Sequence, residues 1–270
     1  MEREIDLNLD SSLVSSLLTS FIDHQLKSSG LEKTMIGLSG GVDSSLVALL
    51  ACKALGAERV KGVMLPHRIC SDSVLQDART MVEMLGIEVI EMDITPMIDA
   101  YYHHFPGADK KRRGNKMARE RMAILYDLSS AERALVLGTE NKTEYLLGYS
   151  TLWGDMAAGL HPLGDLYKTQ VFQLAEELGL PEVIVRKPPS ADLWPGQTDE
   201  EELGFSYDLA DQILYLLVEE DLPHQELVER GYSPALVNDI MFRLKKYSFK
   251  RRMPLIAPLQ SYIKSDKGGI

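Results

Sequence analysis

A chain of 270 residues with 45% apolar and 26% charged side chains has an ordinary globular make-up, with room for one large α/β domain or two small ones. Its 40 acidic side chains against 29 Lys and Arg leave a net charge of −11, which repels polyphosphate chains and argues against general nucleic-acid binding. The two cysteines, Cys52 and Cys70, form no C-x-x-C pair and read as reduced packing residues of a cytoplasmic protein, while the charged opening "MEREIDLNLD" is no secretory signal and no apolar run reaches the roughly 20 residues that cross a bilayer.

In chain order, Leu13, Leu17, Phe21 and Leu26 recur near helical spacing and predict a helix over 11–29, ended by Gly30. Alternation follows. "TMIGLS" (34–39) predicts a strand, and "VDSSLVALLACKALG" (42–56) a helix with Val42, Leu46, Leu49 and Leu50 on one face. "RVKGVML" (59–65) predicts a second strand, residues 71–86 a helix with Ser71 as its cap, and "IEVIEMD" (87–93) a third strand. A polar helix from about Gly114 to Glu132 leads to a fourth strand, "ALVLG" (134–138). Beyond Lys168 the pattern is helical, over 168–178, 199–218 and 234–247, with the proline- and glycine-bearing "RKPPSADLWPGQTDE" (186–200) as a long loop. Strands alternating with helices imply a single α/β domain: a doubly wound, mainly parallel sheet covered on both faces, with helical additions at its N- and C-termini.

Ligands of open parallel sheets bind beyond the carboxyl ends of the strands, where "GLSGGVDSS" (37–45) lies. Gly40 and Gly41 let backbone N–H groups turn toward one point, the following helix adds its positive end, and Ser39, Ser44 and Ser45 add hydroxyls. The Walker lysine and the G-x-G-x-x-G pattern are both absent. Asp43 either caps a plain strand-to-helix turn or faces an anion through a cation such as Mg²⁺, since a lone carboxylate beside phosphate is repulsive.

"SGGVDSS" resembles the pyrophosphate loop of the N-type ATP pyrophosphatases. "RGNKMARERM" (113–122), "LVLGTENKTEYLLGY" (135–149), "GDLYKTQVFQLAEELGLP" (164–181), "KPPSADLWPGQTDEEELG" (187–204) and "KRRMP" (250–254) follow in order, and together they resemble the ammonia-dependent NAD synthetases over most of the chain. The resemblance implies an adenine nucleotide alpha hydrolase-like fold without the amidase (nitrilase-like glutaminase) domain that some members carry. It also implies ATP-dependent amidation of deamido-NAD⁺ with ammonia, through an acyl adenylate, to NAD⁺, AMP and pyrophosphate.

By that resemblance Gly37, Leu38, Ser39, Gly40, Gly41, Val42, Asp43 and Ser44 cradle ATP, which Thr139, Lys168 and Ser190 also contact. Asp43 and Glu144 hold Mg²⁺, Asp43 and Lys168 act in catalysis, and Arg119 and Lys250 hold the deamido-NAD⁺ substrate, in a homodimer that binds neither nucleic acid nor membrane. Three positions depart from the family pattern: Leu152, Gly159 and Phe249 stand where it has lysine, aspartate and histidine. Each lost charged hydrogen bond to a ligand costs about 1.5–3 kcal/mol, so the alternative is an amide ligase of the same design acting on a different carboxylate. "YYHH" (101–104) is a poor metal site, because adjacent histidines do not share a helix face.

Overall fold

The computed structural model describes residues 5–194 and 196–259. Helix α1 (Ser11–Ser29) precedes β1 (Lys33–Gly37), α2 (Val42–Leu55), β2 (Val60–Met64), α3 (Asp72–Leu85) and β3 (Glu88–Glu91). Helices α4 (Thr95–His103) and α5 (Lys110–Glu132) lead to β4 (Ala134–Leu137) and α6 (Lys142–Leu147). The remainder is helical: α7 (Lys168–Glu177), α8 (Glu182–Val185), α9 (Asp199–Leu203), α10 (Tyr207–Val218), α11 (His224–Glu229) and α12 (Pro234–Lys246).

All strand pairs are parallel and the sheet order is β3-β2-β1-β4. Alternate residues of β1 feed opposite faces. Ile36 joins a core with Leu26 of α1, Leu46 and Leu50 of α2 and Val171 of α7, while Met35 joins Ile98 of α4 and Met117 of α5. That division is the doubly wound arrangement expected from the alternation. The chain steps outward from β1 to β3, then returns to place β4 on the other side of β1. This reversal opens a crevice between the carboxyl ends of β1 and β4. The outer edge of β4 is paired by residues 159–160, with Gly159 donating its N–H to Val136 O at 2.9 Å and Leu160 O accepting from Gly138 at 2.9 Å. A third apolar cluster joins Leu147 of α6 to Ala210 and Leu214 of α10, Leu227 of α11 and Ile240 of α12.

Four helices escaped the periodicity: α4, α6, α8 and α11. None exceeds nine residues, too short for a repeat to show. Helix 199–218 is two helices, because Gly204 takes φ +86° and Ser206 caps α10 by accepting from Leu209 N–H. Helix α5 begins four residues earlier than expected, where Asp109 accepts from Arg112 N–H at 2.7 Å. Of the stripe read on α1 only Leu26 is buried: Leu13 and Leu17 are 56% and 60% exposed, while Val14, Leu18 and Ile22 pack inward beside Leu26.

Gly40 takes φ +76°, and a Cβ there would lie 2.3 Å from Val74 O in the first turn of α3. Gly30 takes φ +71° with nothing within 4 Å of such a Cβ. Gly30→Ala is therefore expected to cost about 1–2 kcal/mol, the left-handed penalty alone. Gly40→Ala is expected to cost roughly 1–3 kcal/mol more from overpacking, read as the difference between the two urea-melt midpoints.

Candidate active site

Leu38 N–H still bonds Val63 O at 2.8 Å, after which the chain turns through Ser39–Gly41 into α2. The serines hold this turn more than they offer donors outward. Ser44 Oγ donates to Gly41 O (3.1 Å) and accepts from Ser39 N–H (3.3 Å), and Ser45 Oγ donates to Gly41 O (2.8 Å). The cap of α2 is Gly41, which has no side chain to cover the first-turn N–H groups. Asp43 is therefore not a cap. Its Oδ1 accepts from Asn141 Nδ2 at 2.9 Å, and its Oδ2 from Lys168 Nζ at 2.5 Å.

Across the crevice, α6 begins with a capping box. Asn141 Oδ1 accepts from Glu144 N–H (3.0 Å), and Glu144 Oε2 accepts from Asn141 N–H (3.3 Å). One buried asparagine thus orients both Asp43 and Glu144. Lys168, first residue of α7 and 3% exposed at its side chain, also reaches Glu144 Oε1 at 3.2 Å. Its backbone N–H donates to Thr143 Oγ1 (2.9 Å), and that hydroxyl donates to the fully buried Asp211 (2.5 Å), which also accepts from Thr169 N–H (2.8 Å).

Glu144 and Lys168 line a cavity of about 330 Å³ together with Gly37–Ser44, Thr139 and Ser190. Every position expected at ATP lies on this one surface. Arg119 and Lys250 do not. Arg119 is exposed and donates to Leu152 O (3.2 Å), while Lys250 donates to Gly148 O (2.7 Å) and Ser150 O (2.6 Å), so both brace the segment 148–152. Gly159 is confined: a Cβ there would meet Leu135 Cδ1 at 2.5 Å and Val136 O at 3.2 Å.

The cavity is electrostatically negative. Asp43, Glu140, Glu144, Asp155, Asp192 and Asp199 line it against Arg121, Lys168 and Lys187, the last of which pairs with Asp77. Burial, Asp43 and Asp199 raise Glu144 despite Lys168, and burial raises Asp199. Burial opposes the Lys168 ammonium, but Asp43 and Glu144 outweigh it and hold it protonated. Such an excess of hard carboxylate oxygen suits Mg²⁺ shared with phosphate and water. No group of three or more His, Cys, Asp or Glu that could hold a metal by itself occurs among the described residues.

The sequence reading passed over Asn141, Asp199, Tyr207 and Asp211. Only Asn141 had a local signal, the N-x-x-E of "NKTE". Tyr207 donates to Asp199 Oδ2 (3.0 Å) and its ring lies 5.4 Å from Lys168 Nζ. Glu140 was passed over too. It lines the cavity, neither of its oxygens meets a hydrogen-bond partner among the described residues, and burial pushes it up to about 7.

A family model described as NAD synthase matches residues 14–254. The chain belongs to the NAD synthase family. It is 49% identical to the NH(3)-dependent NAD(+) synthetase of Trichlorobacter lovleyi over 93% of this chain and 92% of that protein. Among solved structures it resembles the NMN synthetase of Francisella tularensis (TM-score 0.82, 32% identity, 93% of this chain and all of that one). It also resembles the NH3-dependent NAD synthetase of Campylobacter jejuni, solved with a nitrate ion (TM-score 0.80, 34% identity, the same coverage). In this NAD synthase family member no helix among the described residues is long and apolar enough to cross a membrane.

Burial raises Asp211 to about 6, above the roughly 3.9 of an unfolded aspartate. Between those values the folded chain binds more protons than the unfolded one, so this group's contribution to stability falls as pH rises from about 4 through 6 and is flat above. The stability difference between the native chain and Asp211→Asn, from melts at successive pH values, is expected to shrink over that window and then stay constant.

Proposed function

We propose that the crevice between β1 and β4 carries both halves of an ATP-dependent amidation. The chain is a C–N ligase of the NAD synthase family that converts deamido-NAD⁺ and ammonia to NAD⁺ at the expense of ATP. The observation that carries the reading is the Asp43–Lys168–Glu144 cluster, held by Asn141 beside an uncapped helix N-terminus.

A free carboxylate resists ammonia because its oxygen leaves poorly. Attack of the nicotinate carboxylate on the α-phosphorus of ATP expels pyrophosphate and leaves an acyl adenylate, from which ammonia displaces AMP. No side-chain nucleophile is required, so catalysis is positioning and charge stabilisation. The N–H groups of Gly40 and Val42–Ser44 and the Lys168 ammonium face the transferring phosphates. Asp43 and Glu144 would hold Mg²⁺, which would neutralise phosphate charge when bound. Lys168 pairs with both carboxylates and holds its ammonium beside them. Ser190 and Thr139 complete the nucleotide site, and segment 148–152, braced by Arg119 and Lys250, faces the acceptor. The reading takes residues 1–270 as one catalytic unit, working in the cytoplasm as a homodimer.

A second reading concerns the acceptor. Uncharged Leu152 and Gly159 replace a lysine and an aspartate of the family pattern, and the chain also resembles an NMN synthetase. In this reading the carboxylate belongs to nicotinate mononucleotide. Comparing kcat/KM for the two acceptors decides between them: the first reading expects deamido-NAD⁺ to be preferred at least about tenfold, a difference near 1.4 kcal/mol. For catalysis, Asp43→Asn is expected to lower AMP and pyrophosphate release at least about a hundredfold while the circular dichroism spectrum is retained. Undiminished AMP release in that variant contradicts the role given to Asp43.

A further inference from the structure

A second cavity, of about 220 Å³, opens between the start of α5, the turn after β2 and the loop that carries Trp194. It shares only Leu193 with the nucleotide cavity among the described residues. Its walls include Met117, Leu193 and the Trp194 ring, so much of its surface is apolar and one face is aromatic.

Its charge runs against that of the chain. Arg68, Lys110 and Arg113 line it with a single acid, Asp99, which already pairs with Arg68. Among the described residues no carboxylate forms a salt bridge with Lys110 or Arg113. Lys110 stands 4.7 Å from the centre of the Trp194 ring, and Arg113 donates to the Ala108 and Pro106 carbonyls beside the Tyr102 ring. Lys110 is also the first residue of the 23-residue α5, whose positive end adds to the local potential.

His67 supplies an independent observation. It lines the same cavity and is 7% exposed. Its Nδ1 accepts from Ile69 N–H at 3.3 Å, which places the ring proton on Nε2. That Nε2 is enclosed and meets no acceptor among the described residues. A buried donor calls for an acceptor, and the surrounding cations call for a negative one.

We infer that this cavity is a binding site for a small aromatic carboxylate, its ring against Trp194 and Met117 and its carboxylate toward Lys110, Arg113 and the His67 N–H. An inorganic anion would leave the apolar walls unmatched, and a neutral ring would leave the cations and the His67 donor unanswered. None of Arg119, Lys250 and residues 148–152 lines this cavity. Trp194 belongs to the same loop as Ser190 and Asp199, which line the nucleotide cavity.

The chain has two tryptophans, so Trp153→Phe leaves Trp194 as the reporter inside the cavity. Nicotinate is the probe and nicotinamide its uncharged counterpart. Nicotinate is expected to change Trp194 emission saturably with a midpoint below about 1 mM, with nicotinamide at least roughly tenfold weaker. Lys110→Met and Arg113→Met are each expected to raise the midpoint about fivefold or more, the loss of one exposed charge contact. Saturating deamido-NAD⁺ is expected to leave the midpoint unchanged. Calorimetric titration of the unsubstituted chain with the same pair repeats the comparison without any variant. Absence of saturable binding up to about 10 mM, equal binding of nicotinamide, or displacement by deamido-NAD⁺ overturns the assignment.

Discussion

The organisation of this molecule turns on one buried ammonium, that of Lys168, set between the carboxylates of Asp43 and Glu144. Removing such ions from water costs several kcal/mol each, and only close pairing and further hydrogen bonds offset it. Asn141 and Thr143 supply those bonds to the cluster's side chains and backbone. The site also places a cation at the positive end of α7, an arrangement that makes sense where carboxylates surround it and phosphate is to be bound. With Asp199 nearby, negative charge remains in excess.

The sheet delivers the parts. Reversal of strand order puts the Gly–Ser turn after β1 and the capping box after β4 on the two lips of one crevice, so residues 98 apart in sequence, Asp43 and Asn141, share a hydrogen bond. The C-terminal helices stand behind them. Asp211 of α10 accepts from Thr143 and from Thr169, tying α6 to α7, and Tyr207 of the same helix joins Asp199 to the Lys168 environment. The basic run near residue 250 has a related role: Arg251 donates to Leu146 O and Leu244 O, and Lys250 to Gly148 O and Ser150 O. The charge of both side chains is turned onto backbone carbonyls.

Much of the architecture was legible because periodicity is a local property. The strands at 34, 60, 88 and 134 and the long helices between them announce themselves within windows of ten to twenty residues. The α1 stripe shows the limit of that logic. Leu13, Leu17 and Val14, Leu18 offer two nearly equivalent apolar faces, and the neighbours on α2 and α7 decide which one is buried. Helices of four to nine residues carry no repeat, and the break at Gly204 depends on a left-handed backbone that the amino-acid type permits without requiring.

The sequence by itself determined the glycine–serine turn between β1 and α2, since an apolar strand, two glycines and an apolar helix follow one another within a short window. Resemblance in its ordered motifs added the family and the positions expected on the ATP side. Tertiary structure alone decided which groups hold those residues in place. Asp43 could have been a cap until Lys168 and Asn141 were seen to claim its two oxygens, and Asp211 has no local mark of its part in the site. Electrostatic pairing and burial depend on distance in space, and chain order records that distance only for near neighbours.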